Sequence, residues 1–131
     1  MAEAFWKMRP ETLQNIAGAL LMERRDALWP RLLAPLCSIV RDGGSVGSVE
    51  QGWIRDWLDR RGRGDLEFWD VQVVQLSRGQ AAGMLDGRDS TAERAIRGLQ
   101  EVGVLTLVHK GVKGHSSLYC VNPLPGPAPP H

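Results

Sequence analysis

Apolar residues recur at helical spacing from about Pro10 to Trp29, where Leu13, Ile16, Ala17, Leu20, Leu21 and Leu28 fall on one stripe. Pro10 suits a first helical turn, and Pro30 punctuates the far end. A shorter apolar segment follows, Leu32 to Val40, which tolerates Pro35 only near its start and stops at Asp42-Gly43-Gly44. Ser48 and Gln51 stand three apart, as a capping box requires, and open a third helical pattern. Trp53, Ile54, Trp57 and Leu58 supply its buried face, and Arg60, Arg61 and Arg63 suit its C-terminus. From Phe68 to Leu76 the rhythm changes to partly alternating strand formers, and at least the last half predicts a strand.

Beyond Leu76 several local signals agree. Ser77 and Gln80 have a second capping-box spacing, opening a short helix with Ala81, Ala82, Met84 and Leu85 as its apolar residues. Asp86-Gly87-Arg88-Asp89 predicts a turn, with Gly87 free to take a positive φ. Ser90 and Glu93 give a third capping-box spacing, and the helix they open carries the stripe Ala92, Ala95, Ile96, Leu99 and Val102 before Gly103 ends it. Two helices joined by a tight turn predict a helix-turn-helix. Val104 to Val108 and Leu118 to Val121 then read as two strands around a basic, glycine-bearing loop, His109 to His115. The strand ending in Leu76 is placed to join that hairpin as a third.

The runs Leu-Ser-Arg-Gly-Gln-Ala-Ala-Gly-Met-Leu (76–85), Ser-Thr-Ala-Glu-Arg-Ala-Ile-Arg-Gly-Leu-Gln-Glu-Val-Gly-Val-Leu (90–105) and Ser-Leu-Tyr-Cys-Val-Asn-Pro (117–123) resemble the winged helix-turn-helix of bacterial transcription regulators. They are also similar to plasmid and phage replication initiators, whose hairpin often closes with a tyrosine and an Asn-Pro. The resemblance implies a second helix in the major groove, a wing on phosphates or the minor groove, and a first helix braced against the backbone. Opposite the apolar stripe of the second helix stand Thr91, Arg94, Arg97 and Glu101. The guanidinium forks of Arg94 and Arg97, one turn apart, suit guanine edges or phosphates. Ser90 and Thr91 lie at the positive end of that helix and suit phosphate contact. Arg78 and Arg88 are candidates for the flanking backbone, and Lys110, Lys113 and His115 for the wing. A plainer account stands beside this one: Arg97 and Glu101 are spaced for an ordinary surface ion pair, and Arg94 sits on a solvated face.

Charge tempers the picture. The 131 residues carry a formal net charge of +1, so no overall basic field marks a nonspecific nucleic-acid binder. Residues 77–121 hold six Lys/Arg against four Asp/Glu, an excess of only two positive charges. The apolar share of 43% is ordinary for a globular chain and leaves room for one domain with its own core. Cys37 and Cys120 lie in apolar runs, which favours buried thiols in a reducing compartment over a disulfide. No CxxC pair or histidine spacing suggests a metal. No phosphate loop, nucleophile elbow or His-Glu-x-x-His is present, and the carboxylates Asp56, Asp59, Asp65, Glu67 and Asp70 interleave with arginines as on a wet surface. An enzyme is not expected, nor a cofactor. Met1 to Pro10 has no apolar signal core, and no run reaches membrane-span length, so the cytoplasm, at the nucleoid, is the expected location.

Other features keep two readings each. Trp53 and Trp57 suit a core, or base-stacking platforms. The Leu13–Leu28 stripe suits a dimerisation helix or packing against the chain's own domain. Arg24-Arg25 and Arg60-Arg61-Gly62-Arg63 suit auxiliary phosphate contacts or solvated helix ends. The sum is an α+β chain: an N-terminal helical region for packing or dimerisation over 1–65, a winged helix-turn-helix over 66–122, and a disordered Pro-rich tail over 123–131. The expected function is sequence-specific binding of double-stranded DNA in transcription control, by a homodimer, with no membrane or small-molecule partner. Plasmid or phage replication and maintenance is an alternative with the same chemistry, and a winged-helix protein adaptor is an alternative of another class.

Overall fold

Alternation along the strands puts apolar side chains on both faces of a single sheet, and the helices divide between those two faces. The computed structural model describes residues 8–21, 28–112 and 115–126. Within them the chain is an α+β fold of five α-helices and one four-stranded antiparallel sheet. In order these are α1 (Pro10–Leu21), α2 (Pro30–Ile39), β1 (Arg41–Asp42), α3 (Ser48–Arg60), β2 (Gln72–Leu76), α4 (Arg78–Leu85), α5 (Asp89–Glu101), β3 (Leu105–His109) and β4 (Ser117–Val121). The strands lie in the order β1-β2-β4-β3.

One face of the sheet presents Val74, Leu76, Leu105, Tyr119 and Val121 to Ile16 of α1, to Leu32, Leu33 and Leu36 of α2, and to the buried faces of α4 and α5. The opposite face presents Val71, Val73, Val108, Leu118 and Cys120 to Ile54, Trp57 and Leu58 of α3. The stretches before and after residue 65 therefore share both clusters. Each cysteine is buried in a different cluster, Cys37 in the first and Cys120 in the second, and both are free thiols.

Local signals set most boundaries. Ser77 caps α4 as its spacing predicts: Gln80 N donates to Ser77 Oγ at 3.1 Å, and Ser77 N donates to Gln80 Oε1 at 2.9 Å. Gly103 ends α5 with φ +81°, a left-handed conformation that a side chain resists.

Elsewhere the chain departs from its pattern. Ser48 and Ser90 do not cap: α3 and α5 begin at Ser48 and Asp89, with Gly47 and Arg88 at the N-cap and no side-chain bond there. Gln51 instead turns its amide to the carbonyls of Gly44 and Val46 at 3.3 and 2.9 Å. In the turn between α4 and α5 the positive φ belongs to Asp86 (+55°), not Gly87, because aspartate tolerates the left-handed region. Pro35 lies inside α2, not near its start; the helix persists because Leu32, Leu33, Leu36 and Cys37 bury its face on both sides of the proline. Residues 22–27 of the first periodic segment, with Arg24 and Arg25, lie outside the described residues.

The region before β2 is a 3-10 turn, Phe68–Asp70, closed by a reciprocal cap between Glu67 and Asp70. Only the second half of the Phe68–Leu76 run becomes strand. Arg41–Asp42, beside the glycine breaker, forms an extra edge strand with Arg41 opposite Val73. The Pro-rich segment does not leave the domain at residue 123. Leu124 packs on the α3-side cluster, and Arg63 Nη2 donates to the Pro125 carbonyl at 2.9 Å. Residues 127–131 lie outside the described ones.

Candidate nucleic-acid interface

The 13 residues of α5 bury Ala92, Ala95, Ile96 and Leu99, and this fixes which side of the helix faces outward. At 3.6 residues per turn the outermost line is Ser90, Arg94, Arg97 and Glu101, and all four are exposed. Among the described residues Arg94 and Arg97 make no hydrogen bond or ion pair, so neither guanidinium is committed. The Arg97–Glu101 pair of the plainer account does not form. Thr91, half-buried, turns toward Gly87 at the α4–α5 turn, while Arg88, at the N-cap, is exposed.

Behind this line the helix is seated tightly. Gly98 faces Trp29, and a methyl group there would lie 3.0 Å from the ring carbon Cδ1 and 3.1 Å from Cβ. Asn15 of α1 donates to the Gly103 carbonyl at 2.8 Å, tying α1 to the C-terminal end of α5.

Arg78 is not a free cation. Its Nη1 lies 3.1 Å from Glu93 Oε1, an exposed pair bridging the start of α4 to the flank of α5. A pair of this kind contributes little to folding, but it fixes the direction of both side chains. Two residues on, Gln80 accepts the Ser116 hydroxyl at 3.1 Å. The loop between β3 and β4, the first turn of α4 and the outer side of α5 therefore join along one continuous surface.

The hairpin loop is organised at its neck. Gly111 N donates to Ser117 Oγ at 2.9 Å, and His115 N to the Val112 carbonyl at 2.8 Å. A side chain at position 111 would collide with the carbonyls of His115 and Ser116, so the close approach requires glycine. Lys110 and His115 are exposed on this loop; Lys113, the third wing candidate, lies outside the described residues. His109, expected in the loop, is the last residue of β3. A register shift between Leu107 and His109 turns Val108 and His109 toward α3. There the imidazole stacks on the Trp53 indole, ring centres 3.6 Å apart and planes 4° from parallel. Trp53 is thus a half-buried prop, and Trp57 a core residue under the Arg61 guanidinium.

A groove of about 570 Å³ separates α3 from the loop, bordered by Glu50, Trp53, Gln75, Gln80, His109 and His115. Burial pushes the Cys120 thiol up to about 12 and the Cys37 thiol above its ordinary value, so both stay protonated at neutral pH. Among the described residues no group of three or more His, Cys, Asp or Glu could hold a metal ion, and no helix is long and apolar enough to cross a membrane.

Sequence reasoning missed Glu93 as the partner of Arg78, Gln80 as the link to the loop, and the Trp53–His109 stack. Gln80 was visible as a cap residue; its second role, and the pairing of residues 56 positions apart, left no local signal. No protein-family model, curated protein or solved structure matches this chain.

Proposed function

We propose that the chain is a winged helix-turn-helix protein that binds double-stranded DNA with sequence preference, acting in transcription control. In this reading α5 enters the major groove, Arg94 and Arg97 meet guanine edges or phosphates, and Ser90 with Thr91 contacts the backbone at the positive end of the helix. Arg78, Arg88, Lys110, Lys113 and His115 supply flanking phosphate contacts.

The observation that carries the reading is the continuous surface from the hairpin loop through Gln80 and Arg78 to the exposed, uncommitted arginines of α5. A helix whose outer line is two free guanidinium groups, backed by a close-packed second helix and flanked by a basic loop, fits a groove and its phosphate walls. A second copy belongs to the reading, because Ala17, Leu20 and Leu21 leave an apolar edge exposed on α1. Replication or plasmid maintenance uses the same surface. Docking to another protein is the reading of a different class, favoured by the Arg78–Glu93 pair, which removes one cation from a surface already short of positive charge.

The test is selection from random duplexes, followed by titration of the best one at several salt concentrations. Duplex binding that weakens steeply with salt and prefers the selected site supports the reading. Binding that is absent, or indifferent to salt, turns the surface into a protein-docking site.

A further inference from the structure

The hairpin loop is held from both sides. On the β3 side, Trp53 of α3 lies flat against His109. On the β4 side, Ser116 Oγ donates to Gln80 Oε1 in α4. That same oxygen accepts the Ser77 amide, so one side chain caps α4 and moors the loop. The neck between the two moorings is closed by Gly111, whose amide bonds Ser117 Oγ. α3 lies between α2 and β2 in the chain, buries its residues in a different cluster from the α4–α5 pair, and covers the opposite face of the sheet. Its contact with the loop runs through a residue that the register shift in β3 turns toward it.

We infer that α3 is a splint for the hairpin loop, and that Trp53, His109 and Ser116 are positioning residues for DNA binding. They hold Lys110 and His115 beside the first turn of α4, so that loop and α4 engage the phosphates of one stretch of backbone. This inference rests on the DNA-binding reading. A preset loop gives up less conformational freedom on binding than a loose one. Its contribution is phosphate contact, which registers in the salt dependence and leaves base preference untouched.

The experiment titrates the selected duplex, at a series of salt concentrations, with wild type, His109→Ala, His109→Phe and Ser116→Ala, each checked by thermal unfolding. His109→Ala and Ser116→Ala are expected to weaken binding roughly three- to tenfold and to flatten the salt slope by about one unit, with the order of preferred sequences unchanged. His109→Phe keeps a flat ring against Trp53 and is expected to recover wild-type affinity and slope. Ser116→Ala removes one hydroxyl outside both apolar clusters, so it carries the test should His109→Ala unfold.

Affinity and slope unchanged in a folded His109→Ala or Ser116→Ala overturn the splint while the DNA reading stands. His109→Phe as weak as His109→Ala also overturns it, because the imidazole nitrogens would then act directly on DNA. A wild type with no salt-dependent duplex binding removes the DNA reading itself, and the splint with it.

Discussion

The two faces of the sheet are built by different rules. On the face covered by α1, α2, α4 and α5, apolar residues repeat at helical spacing, and α5 shows an unbroken inward stripe of Ala92, Ala95, Ile96 and Leu99. On the face covered by α3, the cluster is assembled from single residues brought together over long separations: Val46, Val71, Val108, Leu118 and Leu124 around Ile54, Trp57 and Leu58. The first face positions the arginines. The second positions the loop that would work beside them. Periodicity announces itself in sequence, as it does for α5 and for the Ile54, Trp57 and Leu58 stripe of α3; the single residues that tertiary contacts gather around that stripe do not.

The largest expected effect asks whether these are two units or one. Leu99 and Ile54 are both fully buried, one in each cluster, and β2 and β4 contribute to both. Truncation to alanine at either position is expected to cost about 2–5 kcal/mol, from lost burial and the cavity left behind. Because the strands are shared, each variant should unfold in one transition followed identically by far-ultraviolet circular dichroism and tryptophan fluorescence. A second, separate transition in Ile54→Ala would make the α3 face an appendage and break the picture of a common sheet.

Close approaches of backbone separate the faces next. A Cβ on Gly43 would collide with the Phe68 carbonyl, whereas one on Gly98 would press on the Trp29 side chain at 3.0 Å. Backbone cannot give way as a side chain can. Gly43→Ala is therefore expected to lose about 1–3 kcal/mol. Gly98→Ala should lose less, since the helix propensity gained by removing glycine offsets part of the crowding. Denaturation midpoints at constant slope measure both. Equal losses would show that Trp29 is as immovable as the main chain.

A third comparison sets binding against folding. Arg94→Ala and Arg97→Ala are each expected to shift folding stability by less than about 0.5 kcal/mol, as exposed positions without partners do. If a base edge is read, each should weaken binding of the preferred duplex by about 1–3 kcal/mol. Wild-type affinity in either variant would remove that residue from the interface. Stability lost in step with affinity would mean that the arginine serves the fold.

What was legible follows the range of the interactions. The Ser77 cap, the α5 stripe and the Gly103 terminus depend on residues a few positions apart, and each stood where its spacing put it; the hairpin formed too, with its first strand one residue later, at Leu105–His109. Ser48 and Ser90 had the same spacing as Ser77, yet Gly47 and Arg88 took the N-cap conformation, with ψ of 164° and 162°. In α5 the helix begins at Asp89, so Ser90 lies inside the first turn and not at its cap, and Glu93 pairs with Arg78. The β1 strand, the Trp53–His109 stack and the anchoring of Leu124 and Pro125 have no local signature. Of the candidate site, the α5 line could be read from sequence, but the coupling of the loop to α3 and α4 could not. Serine-to-alanine substitutions sharpen the point. Ser77→Ala should cost about 0.5–2 kcal/mol as a lost cap, while Ser48→Ala and Ser90→Ala should stay within about 0.5 kcal/mol. A loss at Ser90 matching that at Ser77 would return the third capping box to the fold.

The smallest effect lies at the edge of the α3 face, where the chain leaves the sheet. Arg63 bonds Asp65 through Nε at 3.0 Å and Nη2 at 3.2 Å while also holding the Pro125 carbonyl. Its side-chain hydrogen bond holds the Asp65 carboxyl below the ordinary aspartate value. A carboxyl whose pKa falls on folding stabilises the fold at pH above its unfolded value, and that contribution disappears as pH drops through the folded one. Wild type should therefore exceed Asp65→Asn slightly in melting temperature at neutral pH, with the gap closing as the pH falls below about 4. Because Asp65 is solvent-exposed, added salt should shrink the gap at neutral pH as well. A gap that survives at low pH would assign the role of Asp65 to shape and not charge, leaving Arg63 to hold the Pro-rich segment through the Pro125 carbonyl alone.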